Sequence, residues 1–303
     1  MNNGRELREK NIGVLMGGIS SEREISLKSG EAVLASLVRS GYRARAIDVG
    51  PNIAETLKTA AIETAFIALH GRWGEDGTVQ GVLEMLKIPY TGSGVLGSAL
   101  AMDKCLDKLL LISLAIPTPA YQECRADKEG DFPVPYVVKP AREGSTVGIS
   151  IVRRKEETEA AIRTALKYDT KVLIERFVEG REITVGVVDG VALPIVEVRP
   201  KSGFYNYESK YTKGMTEYLV PAKLPFSVEE KARNAALTIW RHFDLSGCAR
   251  IDMIVDGDVP QVIDINTSPG MTETSLVPKA WAHLGKTFDE LVEQILLTAA
   301  LKA

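Results

Sequence analysis

The chain holds few of the groups that mark several large function classes. Its three cysteines, Cys105, Cys124 and Cys248, are odd in number and form no C-x-x-C pair. They point to neither a disulfide framework nor a zinc site, and they suit a reducing compartment. No block of lysine and arginine and no basic tail occurs, and the formal net charge is −3, which argues against a general nucleic-acid binder. No apolar run approaches the roughly 20 residues that cross a bilayer. The longest, Leu109–Ile116, is broken by Ser113 and stops at Pro117. The opening MNNGRELREK lacks the apolar core of a secretory leader. Repeats and low-complexity tracts are missing too. These absences predict a soluble, cytoplasmic protein with no nucleic-acid and no membrane partner.

What is present is an ordinary globular composition over 303 residues, long enough for two or three domains. The first third alternates strands with helices, which implies a parallel sheet. Asn11–Met16, Arg43–Val49 and Ala65–Leu69 read as strands. Ser21–Ser40 reads as a helix opened by a Ser21/Glu24 capping box. Ligands of such sheets bind beyond the carboxyl ends of the strands, here Gly17–Glu22 and His70-Gly71. A lone histidine is ordinarily structural, but His70 follows a strand directly and stands among the glycines of HGRWGEDGTVQG. Glu75 and Asp76 read equally well as helix caps or as site residues. The strand–Gly-Gly–helix start also occurs in dinucleotide-binding folds, but the G-x-G-x-x-G fingerprint is absent.

Helical sequence from Val95 to Ala115, with a break near Met102–Asp103, leads to linker-like sequence at Pro117-Thr118-Pro119 and Gln122–Gly130. Pro135–Pro140 reads as a strand carrying Lys139. The loop ARE-GSTVG that follows, with Ser145 and Thr146, is a fair phosphate cover but not a Walker A motif. A helix over Lys155–Tyr168 and strands over Val172–Phe177, Arg181–Val188 and Val191–Val198 come next. Glu175 and Glu182 there either accept hydrogen bonds from a nucleotide's amine or ribose or are solvated strand ends. Phe204–Tyr218 keeps neither period, which suits a functional lid. Helices are expected over Ser227–Phe243 with a Ser227/Glu230 capping box, Ser275–Leu284, and Thr287–Leu301 with a Thr287/Glu290 capping box.

The most informative stretch is GCARIDMIVDGDVPQVIDINTSPG, residues 247 to 270. Two β-rich runs, Cys248–Val255 and Val259–Ile265, flank Asp256-Gly257-Asp258, a hairpin signal. Alternation puts Arg250 and Asp252 on one face, and Asp264 and Asn266 on the matching face of the second strand, with Ile263 and Ile265 opposite. A turn near Gly257 or Asp258 brings Asp252 opposite Asp264. Two carboxylates and an amide oxygen are hard ligands suited to Mg²⁺. The same alternation is also that of a plain half-buried hairpin.

In the order GGISSEREIS, HGRWGEDG, YTGSG, KPAREGSTVG, FYNYESKY, GCARID and INTSPGMTETSL, these motifs resemble the ATP-grasp ligases, and within them the D-alanine–D-alanine ligase family of bacterial cell-wall synthesis. The resemblance covers nearly the whole chain. It implies an α/β protein with an α+β central region, in three domains. These are a parallel-sheet N-terminal domain over 1–103, a central ATP-grasp domain over 104–190, and a C-terminal catalytic domain over 191–303 with a lid at 204–218. The implied reaction joins two D-alanine molecules with ATP through an acyl phosphate. By resemblance Asp252, Asp264 and Asn266 bind two Mg²⁺ or Mn²⁺ ions, Lys104 and Lys139 contact phosphates, and Lys210 reaches the γ-phosphate. Glu182 holds the ribose and Glu175 the adenine side. Glu22 pairs with the first D-alanine's ammonium near His70. Arg250 and the Gly270 N–H stabilise the oxyanion, and Ser275 with the Leu276 backbone holds the second carboxylate. Ser145 and Tyr211 link Glu22 to the lid, and Tyr211 favours an amine over a hydroxy acid as second substrate.

Two positions depart from the family pattern. Asp264 stands where glutamate is common, and Arg176 where lysine is common. The resemblance also implies a homodimer. Competing readings are an ATP-grasp ligase with another second substrate, a catalytically silent ATP-binding regulator, and a dehydrogenase built on Gly17-Gly18.

Overall fold

The computed structural model describes residues 3–125, 132–200 and 214–302. After a short helix at Asn3–Glu9 comes a parallel sheet of three strands, β1 (Asn11–Gly17), β2 (Arg43–Val49) and β3 (Thr64–Ile67), in the order β2-β1-β3. This matches the expectation from alternating strands and helices. Helix Arg23–Arg39 covers one face, and Gly30 lets it approach closely, since a Cβ there would lie 2.5 Å from that of Met16. The expected Ser21/Glu24 capping box is not formed. The helix begins at Arg23 with Glu22 as its N-cap and no side-chain cap bond, because Glu22 turns towards other partners described below.

Helices Val95–Met102 and Lys104–Ser113 are separated at Asp103, whose side chain accepts from the N–H groups of Cys105 and Leu106. This is the break read from the sequence. The second sheet holds β4 (Tyr121–Arg125), β5 (Tyr136–Pro140), β6 (Ser150–Val152) and β7 (Lys171–Arg176), antiparallel in the order β4-β7-β5-β6. Linker-like sequence at Gln122–Arg125 is therefore an edge strand. A polar strand is stable there because only one side needs partners. Helix Thr158–Ala165, shorter than expected, packs on this sheet through Ala161 and Ala165.

The third sheet holds β8 (Arg181–Val188), β9 (Val191–Ala192), β10 (Val196–Pro200), β11 (Thr216–Leu219), β12 (Cys248–Asp256) and β13 (Val259–Asn266). Its order is β11-β10-β8-β12-β13, with β9 beside β8. The single strand expected over Val191–Val198 is split in two, and the end of the expected lid, from Thr216, is a sheet strand. Residues 204–213 of that lid, with Lys210 and Tyr211, lie outside the described residues. Helix Phe226–His242 packs beneath through Val228, Ala232, Ala236 and Ile239. It starts after Pro225 with no side-chain cap bond. The Ser227/Glu230 box is thus not formed, because Pro225 already sets the first turn.

Strands β12 and β13 pair as expected, with Asp252 opposite Asp264 and Arg250 opposite Asn266, and the register shifts between Asp252 and Met253. That bulge places two residues of β13 against one of β12. It corrects one expectation. Ile263 joins the cleft side instead of the core, and Val262 is buried in its place. The core face of β12 carries Ala249, Ile251, Met253 and Val255, all buried.

Helices Leu276–His283 and Phe288–Leu296 close the fold. The second bears the expected Thr287/Glu290 capping box but ends well before Leu301, and Ala300 bridges to Tyr90. Leu291, Val292 and Ile295 join the core that holds Val33 and Leu37. Among the described residues no helix is long and apolar enough to cross a membrane. Ile251→Ala empties a fully buried position behind the hairpin and is expected to cost about 2–5 kcal/mol, read as a lower urea midpoint.

Candidate active site

A cleft of about 700 Å³ is lined by residues of all three sheets and their loops. Every expected site residue within the described stretches lines it: Glu22, His70, Lys104, Lys139, Ser145, Glu175, Glu182, Arg250, Asp252, Asp264, Asn266, Gly270, Ser275 and Leu276. Lys210 and Tyr211 lie outside those stretches.

The hairpin forms the floor. Arg250 grips Asp252 with two parallel bonds, Nε to Oδ1 at 2.9 Å and Nη2 to Oδ2 at 2.8 Å, and Thr184 Oγ1 donates to Oδ1 at 2.6 Å. Asn266 Nδ2 donates to Asp252 Oδ2 at 3.2 Å and to the Arg250 carbonyl at 3.4 Å, so its amide oxygen takes no part in these bonds. Lys104 Nζ lies 3.1 Å from Asp264 Oδ1 and donates to the Glu143 carbonyl at 2.9 Å. Burial opposes the ammonium charge of Lys104, but the carboxylates of Asp264 and Asp107 outweigh it and push its pKa up to about 12. Among the described residues no three His, Cys, Asp or Glu side chains gather at one point. The donor set of two carboxylates and one amide oxygen still fits a hard divalent cation that takes its remaining ligands from phosphate and water.

Behind the hairpin lies a buried charge cluster. Glu175 on β7 pairs with Lys139 and, at 2.9 Å, with Lys108 Nζ. Burial acts to raise the Glu175 carboxyl, yet the Lys108 and Lys139 ammonium groups outweigh it and hold it below its ordinary range. Lys108 also donates to Thr118 Oγ1 at 2.6 Å, which donates to the Val262 carbonyl at 2.8 Å, and Lys139 reaches the Ile263 carbonyl at 3.3 Å. The presumed linker at Pro117-Thr118 is thus tied to the bulged strand.

At the far end of the cleft, Ser145 donates to Glu22 Oε1. Glycine is required beside this carboxylate. Gly71 has φ +66°, and a Cβ there would lie 2.8 Å from Glu22 Oε2. His70 Nδ1 lies 2.8 Å from the Ser268 carbonyl, which can only accept, so Nδ1 carries the proton. Nε2 then accepts from Ser29 Oγ at 3.0 Å. Burial first, and Arg250 in part, keep the ring below its usual pKa against the opposing pull of Glu22. His70 is therefore a neutral tie between loops that also lines the cleft. Ser275 occupies the N-cap position of helix Leu276–His283 without a side-chain cap bond, and its Oγ accepts from Thr272 N at 3.1 Å.

Two side chains of the cleft and its support, Lys108 and Glu143, escape sequence reasoning. Lys108 has a spacing signal, four residues after Lys104 on the same helix. Glu143 lies inside the quoted loop. Glu75 reads from the sequence as a cap or as a site residue, and the structure separates it from Asp76. Asp76 accepts from Trp73 N and Thr78 N within its own turn. Glu75 is half-buried and accepts from Gly71 N and Ser268 N, and desolvation with Glu22 nearby pushes its carboxyl up to about 8.

Two antiparallel sheets facing one another across a polar cleft, beside a parallel-sheet unit, define the ATP-grasp class. The description "D-ala D-ala ligase C-terminus" matches residues 115–297 and "D-ala D-ala ligase N-terminus" matches residues 49–93. D-alanine–D-alanine ligase of Syntrophotalea carbinolica is 51% identical over 98% of this chain and 99% of that protein. That of Citrifermentans bemidjiense is 48% identical over 98% of each. The crystal structure of D-alanine–D-alanine ligase from Bacillus anthracis aligns with TM-score 0.86 at 37% identity, covering 95% of this chain and 97% of that one. Its complex with ATP aligns with TM-score 0.82 at 35% identity, covering 95% and 96%. The chain belongs to the D-alanine–D-alanine ligase family.

The charge cluster generates a pH prediction. Because the folded pKa of Glu175 is depressed, its ionisation stabilises the fold above the ordinary carboxylate value near about 4.3, and this contribution is lost as pH falls through the folded value. Lys108→Met removes one ammonium, so the carboxyl titrates higher and the acid loss of stability shifts upward in pH. At neutral pH the variant should lose about 3–5 kcal/mol, both effects read from urea unfolding at several pH values.

Proposed function

We propose that this protein joins two molecules of D-alanine into D-alanyl-D-alanine at the expense of ATP, as its family does, and so supplies a peptidoglycan precursor in the cytoplasm. The observation that carries this reading is the meeting, in one cleft, of an anionic pocket at Glu22, the acidic hairpin Asp252–Asp264–Asn266, and the lysines Lys104 and Lys139. A carboxylate does not react with an amine unless its oxygen is made a leaving group. Phosphoryl transfer from ATP does that, and it requires two anions to approach each other.

Asp252, Asp264 and Asn266 would hold Mg²⁺ or Mn²⁺, which supplies charge neutralisation between the phosphates when bound. Lys104 and Lys139 add fixed positive charge on the nucleotide side. Lys210, outside the described residues, is assigned to the γ-phosphate. Glu175, kept ionised by Lys108 and Lys139, accepts from the adenine amine and so favours adenine over a base with a carbonyl there. Glu182 accepts from the ribose. Glu22 holds the first amino acid's ammonium, with Ser145 keeping its other oxygen in place and Tyr211 assigned to the same chain of bonds. The carboxylate oxygen of that amino acid takes the γ-phosphoryl group and ADP leaves. The second amine then attacks the carbonyl carbon, Arg250 and the Gly270 N–H receive the developing oxyanion, and phosphate departs as the amide forms. Ser275 Oγ and the Leu276 N–H, at a helix start, receive the second carboxylate.

A homodimer, implied by the family, is supported by an exposed apolar face on helix Lys104–Ser113, where Leu106, Leu109 and Ile112 are 40%, 57% and 59% exposed. Residues spaced by three on a helix share one face.

Incubation with ATP, Mg²⁺ and D-alanine should release ADP, phosphate and the dipeptide, and chelation should stop the reaction until Mg²⁺ or Mn²⁺ is restored. Phosphate release only with another amine would replace this reading by the ligase with a different second substrate. Arg250→Ala is expected to lower kcat by about 10²–10³ while ADP binding, read by calorimetry, persists. Equal loss of both would remove Arg250 from its oxyanion role.

A further inference from the structure

One half-buried carboxyl group of the cleft, Glu75, takes no part in the steps above. Glu75 Oε2 accepts the Gly71 N–H at 2.6 Å, and Oε1 accepts the Ser268 N–H at 3.2 Å. The Ser268 carbonyl is bonded by His70 Nδ1 at 2.8 Å. Both backbone polar groups of Ser268 are therefore held by side chains from the loop after β3, across nearly two hundred residues of chain. Pro269 follows and has no N–H. Met271 N then donates to Ser29 Oγ at 3.2 Å. The segment is pinned at Ser268 and at Met271, and between the pins lies Gly270, which lines the cleft and whose N–H makes no hydrogen bond within the described residues.

The chemistry of the clamp points the same way. A glutamine of the same shape has one oxygen and an NH₂ group, whereas a carboxyl keeps two oxygens in either protonation state, and here two N–H groups face it. The low-water surroundings and the nearby Glu22 push this carboxyl up to about 8, and its two oxygens stay turned to the two N–H groups. A loop that only had to be covered would not need this group.

We propose that Glu75 is a positioning residue, which couples the floor of the first amino-acid pocket to the Ser268–Met271 segment and keeps the Gly270 N–H aimed into the cleft. The proposal rests on the oxyanion role given to Gly270 above. Glu75 acts through Ser268 and touches no reacting atom.

The test is Glu75→Gln, which preserves shape and one acceptor but sets an NH₂ group against a backbone N–H. Because small displacements of a donor are costly, kcat should fall by at least about tenfold, with KM for ATP within about twofold, since the nucleotide side is untouched. Amide hydrogen exchange without substrate should quicken over Thr267–Met271 and stay unchanged in β12 and β13. The melting temperature should hold. Should this variant fold poorly, Glu75→Asp, one methylene short of reaching both amides, carries the same measurements. A kcat within about twofold of the parent, a KM for ATP that climbs as kcat drops, or unaltered exchange at Thr267–Met271 would each overturn the proposal. Failure of the parent chain to make dipeptide would overturn the ligase reading alone, because the exchange measurement needs no substrate.

Discussion

The site depends on one antiparallel pairing. Strands β12 and β13 put Asp252 directly across from Asp264, and Arg250 across from Asn266, so four polar side chains share a face whose reverse is fully buried core. Facing residues in such a pair lie about 4.5–5.5 Å apart, which sets two carboxylates close together and demands positive charge nearby. Arg250 and Lys104 supply it. Everything else in the cleft is arranged around that floor. Lys104, Lys139 and Glu22 line the cleft with it, and the loop after Asn266 adds Gly270 to the same lining.

Compensation of buried charge recurs one layer deeper. Glu175 is almost wholly out of water, and a lone carboxylate there would be neutral. With Lys108 and Lys139 on either side it stays an acceptor with no proton to donate. The same lysines reach Thr118 and the Ile263 carbonyl, so the charge cluster also fixes the bulged strand. Electrostatics and backbone geometry are here one construction: the bulge turns Ile263 towards the cleft, and a lysine takes its carbonyl.

Features carried by local rules were legible in the sequence. Strict alternation and an Asp-Gly-Asp turn gave the hairpin register, alternating strands and helices gave the parallel sheet, and the Thr287/Glu290 pair gave a true capping box. Ser21/Glu24 and Ser227/Glu230 have the same spacing and form none, because Glu22 is drawn to Ser145 and Pro225 already opens the later helix. The bulge, the edge strand at Tyr121–Arg125 and the parts played by Lys108 and Glu75 follow from partners far along the chain. No window of neighbouring residues contains that information. Long motifs in a family order located the site where short ones could not.

The packing of the chain's two ends has a consequence for its synthesis. Helix Arg23–Arg39 shares a core with Leu291, Val292 and Ile295, and Arg39 bonds Asp289 some 250 positions later. On the ribosome, the first helix is therefore made long before the surface that covers it. Part of that core stays open to unwanted association until translation is nearly complete, and loss of the last two helices would leave the earliest-made sheet and helix with a bare apolar side.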